Sequence, residues 1–301
     1  MPYDLARASL GEERARALWT LTERALERLE ELAGNAFHRT GSLRLAADET
    51  EREELRREYE ALRADRFTVE WEDELAPSLR GLFGGALRHP TDGSIQPARW
   101  VRRLGQLAAD AGAEIREHSR VESLEGLKAD HVVIATDGYS RGLLDPLDQV
   151  VLPTRGQVLV TAPLRGRLFT CPHYARRGYD YWQQTHDRRL VLGGQRDADL
   201  ATEETREEAT TPLIQGRLEV LAGQLAEEPV RVTHRWAGIF GRTADLVPLA
   251  GGVPGSDGLW VACGYSGHGN VLGLACGELV ADAVLGKEPP ELGIFSPSRF
   301  F

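Results

Sequence analysis

The sequence predicts a mixed fold: an α/β layer assembled from segments far apart in the chain and interrupted by an antiparallel α+β unit. Three observations carry this expectation. Val132-Val133-Ile134-Ala135-Thr136 is a short continuous apolar run, the pattern of a strand covered on both faces. Leu259-Trp260-Val261-Ala262-Cys263 is a second such run, followed at once by the glycine-rich stretch Gly264-Tyr265-Ser266-Gly267-His268-Gly269-Asn270 and by a helical segment carrying Gly273, Ala275, Ala281 and Ala283. Between the two runs, residues 157–161, 179–183 and 189–193 are short strands punctuated by Pro, Gly and Asp, which favours antiparallel pairing.

Taken in order, residues 1–88 are charge-rich and mostly helical. Ser9 and Glu12 have capping-box spacing, after which Leu18, Leu21, Ala25, Leu29 and Leu32 recur at helical intervals until Gly34. Residues 41–45 alternate like a half-buried strand, and a second helix is expected from Asp48 with Leu55, Tyr59 and Leu62 on its inner face. Within 89–150, Asp92-Gly93-Ser94-Ile95-Gln96-Pro97 forms a turn that starts a helix with proline at its first position, ended by Gly112. Residues 113–124 are expected to be extended. Residues 151–250 hold the antiparallel strands, a helix from Thr211-Pro212 and a further strand over 230–236, and 251–301 return to the α/β layer.

Composition narrows the function classes. The chain has 301 residues, 42% of them hydrophobic and 27% charged, enough for a sizeable core and for two structural domains or one large one. A net charge of −10 argues against unaided binding to nucleic acid or an anionic membrane. No apolar run approaches the roughly 20 residues of a membrane-spanning helix, and the first residues lack a basic-then-apolar leader pattern, so a cytoplasmic protein is expected. Cys171, Cys263 and Cys276 have neither disulfide-framework nor metal-ligand spacing, and no metal is expected.

The chemistry concentrates at residues 264–270. A strand–turn–helix unit points unpaired backbone N–H groups at a ligand, and glycines at 264, 267 and 269 let something flat or anionic approach closely. Ser266 sits as in a nucleophile elbow, but His268 replaces the second glycine of Gly-x-Ser-x-Gly, so a hydrolase is disfavoured. His268 is either a general base or a residue acting through its backbone. His173, His186 and His234 lack ligand spacing and read as packing or surface residues. Tyr179, Tyr181 and Trp182 line either a substrate pocket or a core, and Arg242 and Asp245 occupy a loop ahead of the glycine-rich turn.

Several blocks in order resemble one family: Asp92-Gly93-Ser94-Ile95-Gln96-Pro97, Val133-Ile134-Ala135-Thr136-Asp137-Gly138, Arg155-Gly156-Gln157, Leu192-Gly193-Gly194, Trp236-Ala237-Gly238, Asp245-Leu246-Val247-Pro248 and the 264–270 turn. The chain is similar over residues 3–286 to FAD-dependent amine and amino-acid oxidases, the D-amino-acid oxidase, glycine oxidase and sarcosine oxidase group, with the flavour of the γ-glutamylputrescine oxidoreductase-like branch. The resemblance implies a Rossmann-like FAD layer holding an inserted antiparallel substrate domain. It also implies oxidation of a C–N bond of a small amine or amino acid, by hydride transfer to flavin N5. Val121 matches the residue that meets adenine. Thr136, Asp137 and Gly138 match the family's Ala-Thr-Gly block beside the cofactor, with Asp137 where the block has glycine. Gly264, Gly267, His268, Gly269 and Asn270 match the turn that holds the flavin pyrimidine edge. Tyr181, Arg242 and Asp245 fall on the substrate side. Phe240 stands where amino-acid oxidases place a carboxylate-binding arginine, which tilts the expectation toward an amine.

The family's first βαβ unit, with Gly-x-Gly-x-x-Gly for the pyrophosphate, has no counterpart in this sequence. Three expectations follow from the resemblance: a truncated product that binds FAD poorly, a site completed by a second chain, or a non-catalytic protein that acts by binding a partner.

Overall fold

Residues 1–301 are described by a computed structural model. The amphipathic N-terminal stretch forms α1 (Tyr3–Leu10) and α2 (Glu12–Ala33). Gly11, at φ 85°, separates them where one capped helix was expected, and Ser9 lies inside α1 with no capping bond. Strands β1 (Phe37–Arg39) and β2 (Ser42–Leu45) follow, then α3 (Glu49–Ala64), whose N-cap Asp48 accepts from the Glu51 N–H at 2.7 Å. Next come β3 (Glu70–Glu72), β4 (Ala86–His89), β5 (Gly93–Ile95) and α4 (Pro97–Asp110), which begins at the expected proline. After β6 (Val132–Ile134) and α5 (Asp145–Val150) the chain forms β7 (Leu152–Thr161), β8 (His173–Ala175), β9 (Asp180–Gln184) and β10 (Leu190–Gly194). It ends with α6 (Leu200–Glu203), α7 (Pro212–Ala226), β11 (Val232–Arg242), β12 (Leu249–Gly252), β13 (Leu259–Cys263) and α8 (Gly269–Val284).

The principal sheet has eight strands in the order β11-β7-β10-β9-β8-β2-β4-β3. Residues 151–250 supply its antiparallel core, as expected. The 1–88 segment is less purely helical than its composition implies, because β2, β3 and β4 extend the same sheet through the parallel pairing of Leu43 with His173. One face is sealed by α7: Leu159, Trp182, Leu190 and Leu192 pack against Ile214, Leu218 and Leu225, all under 9% exposed. Arg155 and Glu203 pair at 2.9 Å at the edge of this interior, with Gln157 donating to the same carboxylate, so the charges are compensated where water is excluded. On the opposite face, α1 and α3 cover β4 through Tyr3, Leu55, Leu62 and Leu87.

A second, three-stranded sheet has the order β12-β13-β6, with β6 parallel to β13. On one side α8 and α2 close over it through Ala262, Ala275, Cys276, Leu21 and Ala25; on the other, Leu147, Val151 and Val261 form a separate cluster. The far edge of β6 carries no strand, and Val133 is 43% exposed. The expectation of a strand covered on both faces fails there. Residues 113–131 form no strand either: Ile115, Val121 and Leu127 are exposed, because a lone extended segment has no neighbour to satisfy its backbone. Cys171, Cys263 and Cys276 are buried free thiols, and no helix is long and apolar enough to cross a membrane.

His173 is 3% exposed and its ring stacks on Trp182 at 5.0 Å and 3°. Burial lowers its pKa from 6.5 to about 4, partly offset by a backbone hydrogen bond at Cys171. The unfolded chain therefore takes up this proton first, so the contribution of His173 to stability is intact above pH 6.5 and is lost as the pH falls toward about 4. Urea titrations across that window are expected to show a smaller loss of unfolding free energy for His173→Phe, which keeps a flat ring against Trp182, than for the unaltered chain.

Candidate active site

The glycine-rich turn leaves β13 and enters α8 with a backbone no run of ordinary residues adopts readily. Gly264 and Gly267 have φ of 75° and 93°, and Ser266 sits at 51°. A Cβ on Gly264 would lie 2.7 Å from the Thr243 side chain, so glycine is also required for space. His268 is the N-cap of α8, and the first N–H to bond back into the helix is that of Leu272, to the His268 carbonyl. The N–H groups of Gly269, Asn270 and Val271 thus have no helical acceptor, and residues 267–270 are all exposed. These amides suit the oxygen- and nitrogen-bearing edge of a flavin.

Asp137 holds this turn in place. Its carboxylate accepts N–H groups from Gly241 at 2.7 Å, Gly264 at 2.7 Å and Tyr265 at 3.3 Å, joining the end of β11, the turn and its own 3-10 turn Asp137–Tyr139. The residue has φ 45°, a conformation glycine takes without strain and aspartate tolerates. Gly138 then packs directly on β11, where a Cβ would sit 2.9 Å from Ile239 and from the Phe240 backbone. Thr136 is exposed and bonds the Ser140 hydroxyl at 2.8 Å. The Ser266 N–H donates to the Gly241 carbonyl at 2.8 Å, while its hydroxyl lies 3.3 Å from the Thr243 N–H it accepts. The His268 ring contacts the Ser266 carbonyl rather than its hydroxyl, so no nucleophile–base pair forms.

Arg44 and Arg196, which flank the middle strands of the principal sheet, are near enough to bear on His268 of this turn. Register puts Gly193, Tyr181, Tyr174 and Arg44 in one row across β10, β9, β8 and β2. Tyr174 and Tyr181 stack at 5.9 Å and 26°, and the Tyr181 ring occupies the space a Cβ on Gly193 would fill. Trp182, its neighbour in sequence, points to the core at 2% exposure. Of the aromatic run, then, Tyr181 serves the cleft and Trp182 the interior. Crowding by the surrounding walls, reinforced by the positive charges of the N-terminus, Arg44 and Arg196, lowers the His268 pKa to about 4, although its ring borders open space. It is a neutral imidazole at pH 7.

The other expected residues are less central. Arg242 pairs with Glu204 at 3.3 Å, and Asp245 accepts from Arg299 at 3.0 Å, so both charges are already answered within the chain. Val121 lies on the exposed, strandless segment, apart from any ordered cradle. Asn270 is exposed at the first turn of α8. One residue that sequence reasoning passed over is Arg196, whose guanidinium carbon lies 4.6 Å from the centroid of Tyr179 and 5.6 Å from that of Phe240. The Gly193-Gly194 pair just before it was the available signal, since glycines there let large rings cross the strand.

The three-stranded α/β layer carries a glycine-rich turn at a helix start, and the antiparallel sheet carries the stacked pair Tyr174 and Tyr181. Residues 4–283 match the family described as FAD dependent oxidoreductase, DAO, and the chain belongs to that family, whose cofactor is FAD. The glycine oxidase of Bacillus licheniformis is 28% identical over 298 residues, 91% of this chain and 78% of that protein. The probable oxidoreductase OrdL of Rhizobium meliloti is 29% identical over 219 residues, and this chain spans 49% of its length. Among solved structures, glycine oxidase from Geobacillus kaustophilus has a TM-score of 0.79 at 26% identity, covering 96% of this chain and 83% of that one. L-proline dehydrogenase from P. horikoshii, at 20% identity, shares the fold with a TM-score of 0.80 over 95% of this chain and 83% of its own.

Removing the Asp137 acceptor strips three backbone N–H groups of their partner. Asp137→Ala is expected to lower the unfolding free energy by on the order of 3 kcal/mol in urea titrations, and Asp137→Asn, which keeps one amide oxygen, by less. Equal stability of all three chains would show that the carboxylate does not hold the turn.

Proposed function

We propose that the chain oxidises a C–N bond of a small amine or amino acid, with the flavin edge held at residues 264–270 and the substrate held over it against Tyr174 and Tyr181. The observation that carries this reading is the set of unpaired amides at Gly269, Asn270 and Val271, where the glycine-rich turn enters α8. When bound, FAD supplies the hydride acceptor for oxidation of a carbon bearing nitrogen.

The chain's own residues act in three ways. Backbone N–H groups of the turn, aided by the α8 dipole, stabilise negative charge brought against them. Gly267 allows that close approach, Gly264 makes room for the Thr243 side chain behind the turn, and His268 contributes through its main chain while its neutral ring adds no competing charge. Thr136 and Gly138 flank the same site, and Val121 is assigned to the adenine side. The tyrosine pair excludes water from one side of the reacting carbon.

The residues present fit the flavin end better than the diphosphate. No Gly-x-Gly-x-x-Gly occurs in residues 1–301, and the layer has an open edge at β6. We therefore read the three-stranded sheet as an incomplete Rossmann-like layer, with the antiparallel substrate unit inserted between its segments. This chain by itself then binds FAD weakly. A second chain that lays a parallel strand along β6 is a further reading, favoured by that edge and by exposed Val133. The absorbance spectrum of the purified chain with added FAD tests this: a small bound fraction is expected, and a full yellow complement of one FAD per chain would overturn the weak-binding reading.

A further inference from the structure

Arg299 uses every N–H of its guanidinium inside the protein. Nε donates to the Asp245 carboxylate at 3.0 Å. Nη1 donates to the carbonyls of Ile294 and Ser296 at 3.2 and 3.0 Å, and Nη2 to those of Val247 and Pro248, both at 3.1 Å. Five donors in a planar fork, all answered, is a capacity that no other side chain offers.

The group joins two segments that are distant in sequence. Residues 290–301 form two 3-10 turns, Pro290–Ile294 and Pro297–Arg299, seated against the three-stranded sheet. Phe295 between them is buried in the cluster of α2 and α8, and its carbonyl accepts the Ala250 N–H of β12 at 2.9 Å. Residues 243–248 connect β11 to β12 and contain Leu246 at φ 62°, a conformation that leucine keeps only where its surroundings impose it. Arg299 grips this connection at Asp245, Val247 and Pro248, on both sides of the strained residue.

From there the glycine-rich turn is two bonds away. The Val247 carbonyl held by Arg299 also accepts the Thr243 hydroxyl at 3.0 Å, and the Thr243 N–H donates to the Ser266 hydroxyl at 3.3 Å. Thr243 is fully buried, and its Cγ2 is the atom for which Gly264 leaves room. Asp137 bonds the amides of residues 264 and 265 but not that of 266. Outside the turn, Ser266 at φ 51° is held by the Gly241 carbonyl and by Thr243.

We propose that Arg299 is a positioning residue for the flavin-edge turn. It makes no hydrogen bond to residues 264–271; acting through Val247 and Thr243, it fixes Ser266 and with it the direction of the amides that follow. The proposal rests on the reading of this turn as the flavin site and names what aligns it.

Two measurements on the full chain test it, with Arg299→Met, Arg299→Lys and Thr243→Val, and with Phe295→Leu as a variant that weakens the same segment but leaves the chain of bonds intact. The first is amide hydrogen exchange without ligand. Arg299→Met is expected to speed exchange at residues 243–248 and 264–268 while α3 and α7 keep their rates. The second is the dissociation constant of lumiflavin, read from quenching of its fluorescence. Arg299→Met raises it about tenfold, the equivalent of one hydrogen bond of ordinary net strength, and Arg299→Lys by less. Thr243→Val raises it as well, and adds less than its separate effect when combined with Arg299→Met, since both break one chain of bonds. Phe295→Leu lowers stability in urea and leaves the constant unchanged. Unaltered exchange at 264–268 in Arg299→Met, or an equal rise of the constant in Phe295→Leu, overturns the proposal. If the unaltered chain binds no lumiflavin while Arg299→Met still loosens 264–268, the flavin reading falls and the positioning role stands; if lumiflavin binds both chains equally, the positioning role alone falls.

Discussion

One carboxylate joins the two halves of this molecule. Asp137 takes N–H groups from Gly241 and from Gly264 and Tyr265, the first at the end of the eight-stranded sheet and the others where the three-stranded sheet turns into α8. Backbone amides in a partly buried turn must find acceptors, and here a charged one serves three at once. Gly138 permits the approach, since any side chain would collide with β11. The cleft between the sheets, and the direction in which the α8 amides point, depend on this junction.

The junction also explains a departure from the family resemblance. Glycine is the expected residue at position 137, and a positive φ of 45° is retained there. The chain thus keeps the backbone path and adds an internal acceptor. The amides of residues 264 and 265 are consumed by it, which leaves those of 267 and 269–271 without an acceptor.

Much of this was legible because it is local. Asp48 before α3, Pro97 opening α4 and Gly34 closing α2 act on their own neighbours, so their spacing suffices. The β7, β9 and β10 strands show in alternation for the same reason. What was hidden depends on distant pairing: β2 joins β8 through Leu43 and His173, and nothing within 41–45 specifies that partner. Val133 reads as buried by hydrophobicity alone, whereas burial requires a neighbouring element, which β6 lacks on one edge. Glycines 264 and 267 were recognisable from composition as a turn with positive φ. The setting of Arg196 was hidden, because it comes from rings brought by other segments.

The unpaired amides at the start of α8 are proposed to receive the edge of a flavin. Amide hydrogen exchange of the full chain with and without lumiflavin, the bare ring system without ribityl chain or phosphates, tests it directly. Slowed exchange confined to residues 267–271 and to the facing strands β8 and β9 is the predicted result. Unchanged exchange at 267–271, or protection located elsewhere in the chain, would contradict it.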